Sequence, residues 1–261
     1  MLLSLYVWIS FGLIILIWFV LVGISRLFDF DPVHYRTGYL FRKIGNVLTF
    51  VNPFWKVHIS GEKISNPRNP YVVVCNHQSL ADIPFISNLP WEMKWMAKEE
   101  LFRIPLVGWM LRWSGDIPVN RTNARSGAQA LIKAQQVLAQ KCSVMIFPEG
   151  TRTTDGRVRK FSDGAFHLAI KAKVPILPLV IEGSRDCIPK HSWKFGSPAA
   201  AGKPSDVQIK VLPPIDTSSY TIDDVARLRD TVRDAIMNQI AVWRNVSLAD
   251  VDGTVSLQVI Q

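Results

Sequence analysis

The chain has 261 residues, 48% of them apolar and 20% charged, with a formal net charge of +9. This length provides one sizeable α/β core and is short of two full domains. The positive charge fits nucleic acid, an anionic membrane or an anionic substrate and does not choose among them. The cysteines Cys75, Cys142 and Cys187 are odd in number and form no CxxC pair. Neither a disulfide framework nor a zinc site is therefore predicted, and a reducing compartment fits best.

The first 25 residues contain no charged side chain. As a helix they would extend for about 37 Å, more than the roughly 30 Å hydrocarbon core of a bilayer. The segment lacks the basic start and the cleavage site of a signal peptide, so we predict a membrane-embedded helix over residues 1–25. Basic residues follow it, and by the positive-inside rule the rest of the chain faces the cytoplasm. These basic residues are Arg26, Arg36, Arg42, Lys43 and Lys56.

Residues 26–60 mix apolar side chains with basic ones and include Trp55. Their longest uncharged run, residues 44–55, is too short to span a bilayer. Basic and aromatic residues together suit the headgroup layer, so an interfacial or re-entrant amphipathic segment is the preferred prediction. The alternative is an ordinary helix packed on the domain.

The pattern changes at residue 61 to that of an α/β domain, which we expect to extend to residue 245. Short apolar runs predict strands at 71–75, 143–148, 174–181 and 207–213. Helical patterns separate them at 79–88, 124–140 and 162–172, and a capped amphipathic helix follows at 221–243. This alternation predicts a mixed, largely parallel sheet flanked by helices, with ligand sites at the strand ends. Residues 246–261 are expected to be a tail.

The first predicted strand, residues 71–75, ends at a polar pair, Asn76 and His77, and Asp82 follows five positions later. Two residues five apart on one helix point about 140° away from each other, so they would not pair on a helix face. If His77 instead lies in the turn, the Asp82 carboxylate can reach its imidazole. An Asp that holds one ring nitrogen leaves the other free as a general base.

The second predicted strand, residues 143–148, is followed by polar residues in the same way, within FPEGTR (147–152). Its glycine permits close backbone approach, Thr151 offers a hydroxyl, and Arg152 can bind an oxyanion in bidentate geometry. The two strand ends therefore predict one shared site. The chain has no GxSxG elbow, no GxxxxGK[ST] loop and no histidine pair with metal-ligand spacing. A base without a nucleophile of its own indicates deprotonation of a substrate hydroxyl or of water.

Four blocks of the chain resemble, in order, the motifs of the glycerolipid acyltransferases, in particular the 1-acyl-glycerol-3-phosphate (lysophosphatidic acid) acyltransferases. The blocks are NHQSLAD (76–82), GDIPVNR (115–121), FPEGTR (147–152) and VPILPLV (174–180). The resemblance covers roughly residues 60–215. It implies acyl transfer from acyl-CoA or acyl carrier protein to a lysophospholipid, most simply 1-acyl-glycerol-3-phosphate, to give phosphatidic acid. No cofactor and no metal are required by this reaction.

The resemblance also implies roles for individual residues. His77 would be the general base and Asp82 its orienting partner. The acceptor site would be shaped, and given positive charge for the glycerol phosphate, by Glu149, Gly150, Thr151, Arg152, Arg121 and Lys98. The expected location is the inner membrane of a bacterium, with the catalytic domain facing the cytoplasm. The alternatives are action on another lysophospholipid, a hydrolase in which His77 activates water, and a silent lipid-binding protein of the same fold.

Overall fold

The computed structural model describes residues 2–120, 122–188, 195 and 204–254. Its helices are α1 (Leu2–Leu27), α2 (Tyr35–Val51), α3 (Asp82–Ile86), α4 (Val107–Trp113), α5 (Ala124–Ala139), α6 (Gly164–Ala172), α7 (Val225–Arg244) and α8 (Leu248–Val251). Its strands are β1 (Trp55–Gly61), β2 (Val72–Cys75), β3 (Met93–Lys98), β4 (Ile117–Val119), β5 (Ser143–Ile146), β6 (Ile176–Glu182) and β7 (Ser205–Val211). Short 3₁₀ turns cover Glu99–Arg103 and Ile222–Asp224.

The described strands form one seven-stranded mixed sheet in the order β1-β7-β6-β2-β5-β3-β4. The strands β2 to β6 all run in the same direction, because the ladders that join them are parallel. Strand β7 pairs antiparallel with β6, and β1 is parallel to β7. The predicted mixed, largely parallel sheet flanked by helices is confirmed. The strands β2 to β6 therefore all end at one edge of the sheet, which we call the carboxyl edge.

Alternating side chains of the central strand β2 face two different cores. Val72 and Val74 pack with residues of α5, α6 and α7, whereas Val73 and Cys75 face the opposite side, with residues of α1 and α3. All four side chains are completely buried. Burial of a Val-sized side chain stabilises a fold by roughly 1.5–3 kcal/mol, so this four-residue strand is held firmly in the middle of the sheet.

The predicted strands are confirmed as β2, β5, β6 and β7, and the predicted helices as α3, α5, α6 and α7, with shifted ends. The predicted cap of the last long helix is a capping box between Thr221 and Asp224. The strands β1, β3 and β4 were not predicted. Strand β3 carries Lys94 and Lys98, and β4 has three residues with Pro118 in the middle, so neither shows a continuous apolar run. The cysteines Cys75, Cys142 and Cys187 are buried, and none of the three forms a disulfide.

Helix α1 is long and apolar enough to cross a membrane. One face of it packs against the domain along its whole length. Near its start, Ser4 Oγ accepts a hydrogen bond of 3.1 Å from the backbone N–H of Phe195. Near its end, the ring of Phe19 stacks on Trp113 with centroids 5.1 Å apart. Within the described part of the chain the opposite face is exposed and consists of apolar side chains, among them Leu13, Leu16, Ile17, Val20 and Ile24.

Helix α2 packs on the domain through two glycines seven residues apart. A Cβ atom at Gly45 would lie 2.6 Å from the carbonyl oxygen of Pro84 in α3. A Cβ atom at Gly38 would collide with the carboxylate of Glu92, just before β3. Side chains larger than glycine do not fit at these positions without a shift. The contacts of α2 therefore fit the alternative given for residues 26–60, which is a helix packed on the domain.

Both predicted ends of the α/β domain differ from the structure. The sequence analysis placed residues 55–60 in the interfacial segment. In the structure they belong to edge strand β1, which pairs with β7 from Trp55 to Gly61. Polar residues alternate with apolar ones there, and most side chains of this strand are exposed to solvent. Beyond residue 245, α8 packs on the domain rather than forming a free tail. Val251 is completely buried, and Arg233 Nη2 lies 2.5 Å from Asp252 Oδ1.

Candidate active site

Polar loops from neighbouring strands meet at the carboxyl edge of the sheet. The loop after β2 begins with Asn76 and His77, the loop after β5 contains FPEGTR, and a turn with Gly183 and Ser184 follows β6. The strands β6, β2 and β5 are adjacent in the sheet, so these loops are adjacent as well. The backbone N–H of His77 donates a 2.7 Å hydrogen bond to Glu149 Oε1. The predicted proximity of the two sequence motifs is thus confirmed.

His77 and Asp82 form a hydrogen-bonded pair. His77 Nδ1 lies 2.7 Å from Asp82 Oδ2, and the same oxygen accepts the backbone N–H groups of Gln78 at 2.8 Å and Ser79 at 2.9 Å. The other carboxylate oxygen, Oδ1, accepts a hydrogen bond from Ser184 Oγ. These donors hold the completely buried Asp82 in one orientation. An ionised carboxylate accepts only, so Nδ1 carries the proton and Nε2 keeps a free lone pair.

The side chain of Asn76 lets the chain leave the sheet at the start of this loop. Its Nδ2 donates to the carbonyl oxygen of Ile181 at 2.8 Å, and its Oδ1 accepts from the N–H of Ile181 at 3.0 Å. The amide therefore replaces one step of the backbone ladder between β2 and β6. The main chain of β2 is released to turn outward at His77 while the backbone groups of β6 remain paired.

Glu149 lies behind the backbone of His77 and joins the two loops. Its Oε1 accepts from the N–H of His77, and its Oε2 accepts from the N–H of Arg159 at 2.9 Å. Burial raises the pKa of Glu149 to about 7, although the two backbone donors act in the opposite direction. Thr153 adds a second link, since its N–H donates to the carbonyl oxygen of His77 at 2.9 Å. Glu149 shapes the site through the position of His77.

The imidazole of His77 lies at the wall of an apolar cavity. One face of the ring stacks on Phe147, with centroids 4.0 Å apart and planes inclined by 16°. The cavity has a volume of about 390 Å³. Its apolar wall is formed by Leu80, Ile83, Trp95, Met96, Leu101 and Phe147, and its polar rim by Lys98, Thr151 and Arg152. This arrangement suits a ligand with an apolar chain and a polar head.

The loop FPEGTR turns sharply at Gly150, whose φ of 72° lies in the left-handed region that favours glycine. After this turn Thr151 is exposed, and Arg152 is partly buried. Arg152 lines the apolar cavity and also a second, more polar cleft. Within the described part of the chain, no hydrogen bond or ion pair engages its guanidinium. The guanidinium of Arg152 is therefore available to an anionic group at the rim.

The resemblance implied two further cations, Lys98 and Arg121, and the structure describes only Lys98. Lys98 reaches the rim of the same cavity from the end of β3, and its Nζ lies 3.0 Å from Glu100 Oε1. This pair is more than half exposed, so the contact with Glu100 binds Lys98 weakly. Arg121 lies outside the described residues, and its role remains a prediction.

The sequence interpretation did not identify the residues that support the His77 loop from β6 and α7. Gln78 Nε2 donates to Glu182 Oε2 at 2.8 Å. Arg244, at the end of α7, binds both oxygens of Glu182, at 3.0 and 2.7 Å. Glu182 and Ser184 follow an apolar strand just as His77 does, and this pattern could have identified them. Nothing in the local sequence around Arg244 indicates its contact.

The site presents an imidazole with a free Nε2, and the two nucleophilic side chains considered next to it, Cys75 and Ser184, are not available for attack. Cys75 is completely buried, and burial raises the pKa of its thiol well above the ordinary value, so it stays a neutral thiol. The buried hydroxyl of Ser184 is occupied in its hydrogen bond to Asp82. Fold and site together define an α/β protein in which a carboxylate-oriented imidazole lies at an apolar cavity whose rim carries the guanidinium of Arg152.

Comparison with known proteins identifies the family. The family model described as Acyltransferase matches residues 56–182. The 1-acyl-sn-glycerol-3-phosphate acyltransferase alpha of Mus musculus is 35% identical over 76% of this chain and 67% of that protein. The chloroplastic acyltransferase LPAT1 of Arabidopsis thaliana is 33% identical over 68% of this chain and 50% of that protein. The crystal structure of the 1-acyl-sn-glycerophosphate (LPA) acyltransferase PlsC from Thermotoga maritima matches with a TM-score of 0.76 and 28% identity, over 93% of this chain and 95% of that one.

The chain belongs to the acyltransferase family that contains these 1-acyl-sn-glycerol-3-phosphate acyltransferases. The resemblance drawn from the four sequence blocks is therefore confirmed. The chain spans 50–67% of the length of the two curated relatives and nearly all of PlsC.

Proposed function

We propose that the chain transfers an acyl group from a thioester donor to the free hydroxyl of 1-acyl-glycerol-3-phosphate, which gives phosphatidic acid. The donor is acyl-CoA or acyl carrier protein. The observation that carries this proposal is the His77–Asp82 pair at an apolar cavity, with Arg152 unpaired at the rim within the described part of the chain. The names of the relatives support the choice of acceptor.

In the proposed reaction His77 acts on the acceptor hydroxyl. Its Nε2 takes the proton as the hydroxyl oxygen attacks the thioester carbonyl, and Asp82 stabilises the imidazolium that forms. The tetrahedral intermediate then collapses, the carbon–sulfur bond breaks, and the leaving thiolate takes the proton from His77. A general base contributes roughly 10² to 10⁴-fold to the rate, and positioning of the two substrates supplies much of the rest.

The proposed binding mode uses both parts of the cavity. The apolar wall takes an acyl chain next to His77, and the acceptor phosphate lies at the rim with Arg152. A guanidinium binds a phosphate through two parallel hydrogen bonds, which an ammonium group cannot reproduce. Thr151, Gly150 and Lys98 complete this rim, and Arg121 is proposed to add positive charge.

Helix α1 is the proposed membrane anchor, with the catalytic domain on the cytoplasmic side of a bacterial inner membrane. The uncovered apolar face of α1 supports contact with lipid. The contacts of Ser4 with Phe195 and of Phe19 with Trp113 support an orientation in which α1 lies alongside the domain within one leaflet. A helix perpendicular to the membrane, with the domain outside it, would lose one of these contacts. The cavity would then be next to the lipid that supplies the acceptor.

Acyl transfer by the full chain in detergent, with labelled acyl-CoA or acyl carrier protein and a panel of lysophospholipids, tests the function. We expect phosphatidic acid to form from lysophosphatidic acid, and His77→Ala to abolish this product while circular dichroism still shows a folded chain. Preference for another lysophospholipid would keep the mechanism and change the substrate. Free fatty acid as the main product would indicate a hydrolase, and no turnover of either donor would indicate a silent lipid-binding protein.

The role of Arg152 is tested separately by Arg152→Lys, which keeps the charge and removes the planar fork. We expect the KM for lysophosphatidic acid to rise about tenfold, equivalent to about 1.4 kcal/mol, with a smaller change in kcat. An unchanged KM for lysophosphatidic acid would contradict a bidentate contact between Arg152 and the phosphate.

A further inference from the structure

Arg152 also lines a second cleft that His77 does not reach. This cleft has a volume of about 510 Å³ and shares Arg152 with the apolar cavity. Its lining comprises Gln78, Ser79, Thr153, Thr154, Arg152 and Arg185, together with the acidic Asp186 and the apolar Ile188. Hydroxyl and amide groups with two guanidinium groups are the donors that bind phosphate oxygens in proteins.

Arg185 reaches the cleft from the turn that follows β6. This turn begins at Gly183, whose φ of 86° lies in the left-handed region, and a Cβ there would collide with the backbone of the neighbouring strand β7. The side chain of Arg185 is about half exposed, and the carboxylate of Asp186 lies 3.6 Å away. Such a pair between neighbouring exposed residues is weak. The guanidinium of Arg185 can therefore turn toward a ligand in the cleft.

We infer that this cleft binds a phosphate group of a substrate, with Arg185 as the second cation beside Arg152. The inference rests on the proposed function, because it assumes phosphorylated substrates. Two sources carry this chemistry: the phosphate of the lysophospholipid acceptor, and the phosphates of an acyl-CoA donor. Arg185 lies outside the sequence blocks that carry the family resemblance, and it adds a specificity residue to the site.

Steady-state kinetics of Arg185→Gln in the full chain test this inference. The variant keeps a polar side chain of similar length and removes the charge. We expect about a tenfold rise in one KM, the size of effect that the loss of a charge-assisted hydrogen bond produces, with kcat within twofold of wild type. If the phosphate belongs to the acceptor, the KM for lysophosphatidic acid rises. If it belongs to the donor, the KM for the acyl donor rises and the KM for lysophosphatidic acid does not.

Arg227→Gln is the matched control. It removes an equal charge from the start of α7, seventeen residues and about 26 Å along the helix from Arg244 at the edge of the site. If Arg185→Gln and Arg227→Gln have equal KM values for both substrates, the inference about the cleft is wrong. Turnover by the wild type would still support the proposed function. Failure of the wild type to use any phosphorylated acceptor or donor would instead refute the proposed function, and the phosphate cleft with it.

A different observation concerns Ser184, which touches neither cleft. Ser184 is completely buried, and its hydroxyl donates to Asp82 Oδ1, the carboxylate oxygen that does not contact His77. Oδ2 is held by His77 and two backbone N–H groups, and among the described residues Ser184 is the side chain that holds the other oxygen, so it limits the rotation of the carboxylate about its Cβ–Cγ bond. The geometry points to Ser184 as a positioning residue for the catalytic pair.

Two substitutions at Ser184 test this role. We expect Ser184→Ala to lower kcat about tenfold with both KM values unchanged, and Ser184→Thr, which keeps the hydroxyl, to restore most of the lost kcat. Ser114→Ala is the matched control, because Ser114 Oγ donates to the buried Asp116 Oδ2 at 3.0 Å away from the site. That variant should lower the melting temperature and leave kcat unchanged. Equal kcat values for the Ala and Thr variants, or for Ser184→Ala and Ser114→Ala, would refute the positioning role.

Discussion

Two groups of buried charges lie at opposite edges of the same sheet. At the carboxyl edge are His77, Asp82 and Glu149. At the other edge, where β3 and β4 begin, lies a set that we call the amino-edge cluster. It consists of Arg42 from α2, Glu92 and Lys94 around the start of β3, and Asp116 before β4.

In the amino-edge cluster every charge has an opposite partner. Lys94 Nζ lies 2.8 Å from Glu92 Oε1, and Arg42 binds Asp116 Oδ1. All four side chains are at most 5% exposed. Burial raises the pKa of Glu92, while Lys94 and Arg42 pull it back. The cluster has two cations and two anions, and its role is to fix α2 against the sheet.

At the carboxyl edge the charges are not balanced in this way. Asp82 and Glu149 are held mainly by backbone N–H groups and a histidine, and Arg152 faces open space without a partner in the described part of the chain. An imidazole nitrogen and a guanidinium are thus left for a ligand. Burial of charge alone does not mark a functional site in this protein; incomplete pairing next to a cavity does.

The largest effect is expected for Asp82→Asn. An amide at this position cannot accept from Nδ1 in the same way and favours the wrong tautomer of His77, so kcat should fall about 10³ to 10⁴-fold. The measurement is initial-rate acyl transfer by the folded variant, with circular dichroism as the check on folding. Retention of more than a tenth of the wild-type kcat would contradict the assignment of Asp82 as the orienting group.

Arg42→Met, in contrast to Asp82→Asn, should lower stability and leave kcat unchanged. It leaves Asp116 without its cation, and loss of one partner from a buried pair costs about 3–5 kcal/mol of the free energy of unfolding. The fraction that remains folded should keep its kcat. Denaturant titration in detergent measures the cost, and Arg103→Met is the control, since Arg103 forms an exposed pair with Glu99 and should cost less than about 1 kcal/mol. Similar costs for the two variants would show that the buried cluster does not hold α2.

Glu149 should give stability a pH dependence of its own. The pKa of its carboxyl is raised from 4.5 to about 7 in the folded chain. Between these pH values the unfolded chain has lost the proton that the folded chain still binds, so stability falls as pH rises. The loss approaches about 1.4 kcal/mol per pH unit and totals about 3 kcal/mol above pH 7.

Glu149→Gln removes this titration. We expect the melting temperature of the wild type to fall between pH 5 and pH 8 by more than that of the variant, whose side chain is neutral throughout. The difference between the two curves isolates Glu149 from the other groups that titrate in this interval. Parallel curves would mean that the Glu149 carboxyl titrates near its ordinary pKa in the folded chain.

The carboxyl-edge site was more predictable than the amino-edge cluster, for a physical reason. His77, Asp82 and Arg152 follow apolar strands within a few residues, and parallel strands bring such ends together whatever the rest of the fold does. The contacts of the amino-edge cluster join Arg42 to Asp116 across 74 residues, through a helix and a strand without a distinctive pattern. No local rule gives that pairing.

Within the site, too, contacts between residues close in the sequence are predictable and contacts between distant residues are not. Asp82 is five residues from His77, and the turn geometry alone could be used to predict their contact. Ser184 is 102 residues from Asp82, and Glu182 is 62 residues from Arg244. These contacts depend on which strands become neighbours, and the order β6-β2-β5 is decided by packing of the whole sheet.

Gly38→Ala has the smallest expected effect among the tests of the difference between the two edges. The new Cβ would collide with the Glu92–Lys94 ion pair, so α2 must shift away from the start of β3, at a cost of about 1–3 kcal/mol. Gly127→Ala in α5 is the matched control, because its Cβ would meet nothing within 4 Å, and alanine should stabilise that helix by about 1 kcal/mol. Both variants should keep the wild-type kcat. If Gly38→Ala lowered kcat while Gly127→Ala did not, the two edges would be coupled through α2, and the amino-edge cluster would have to be counted as part of the machinery that holds the catalytic pair.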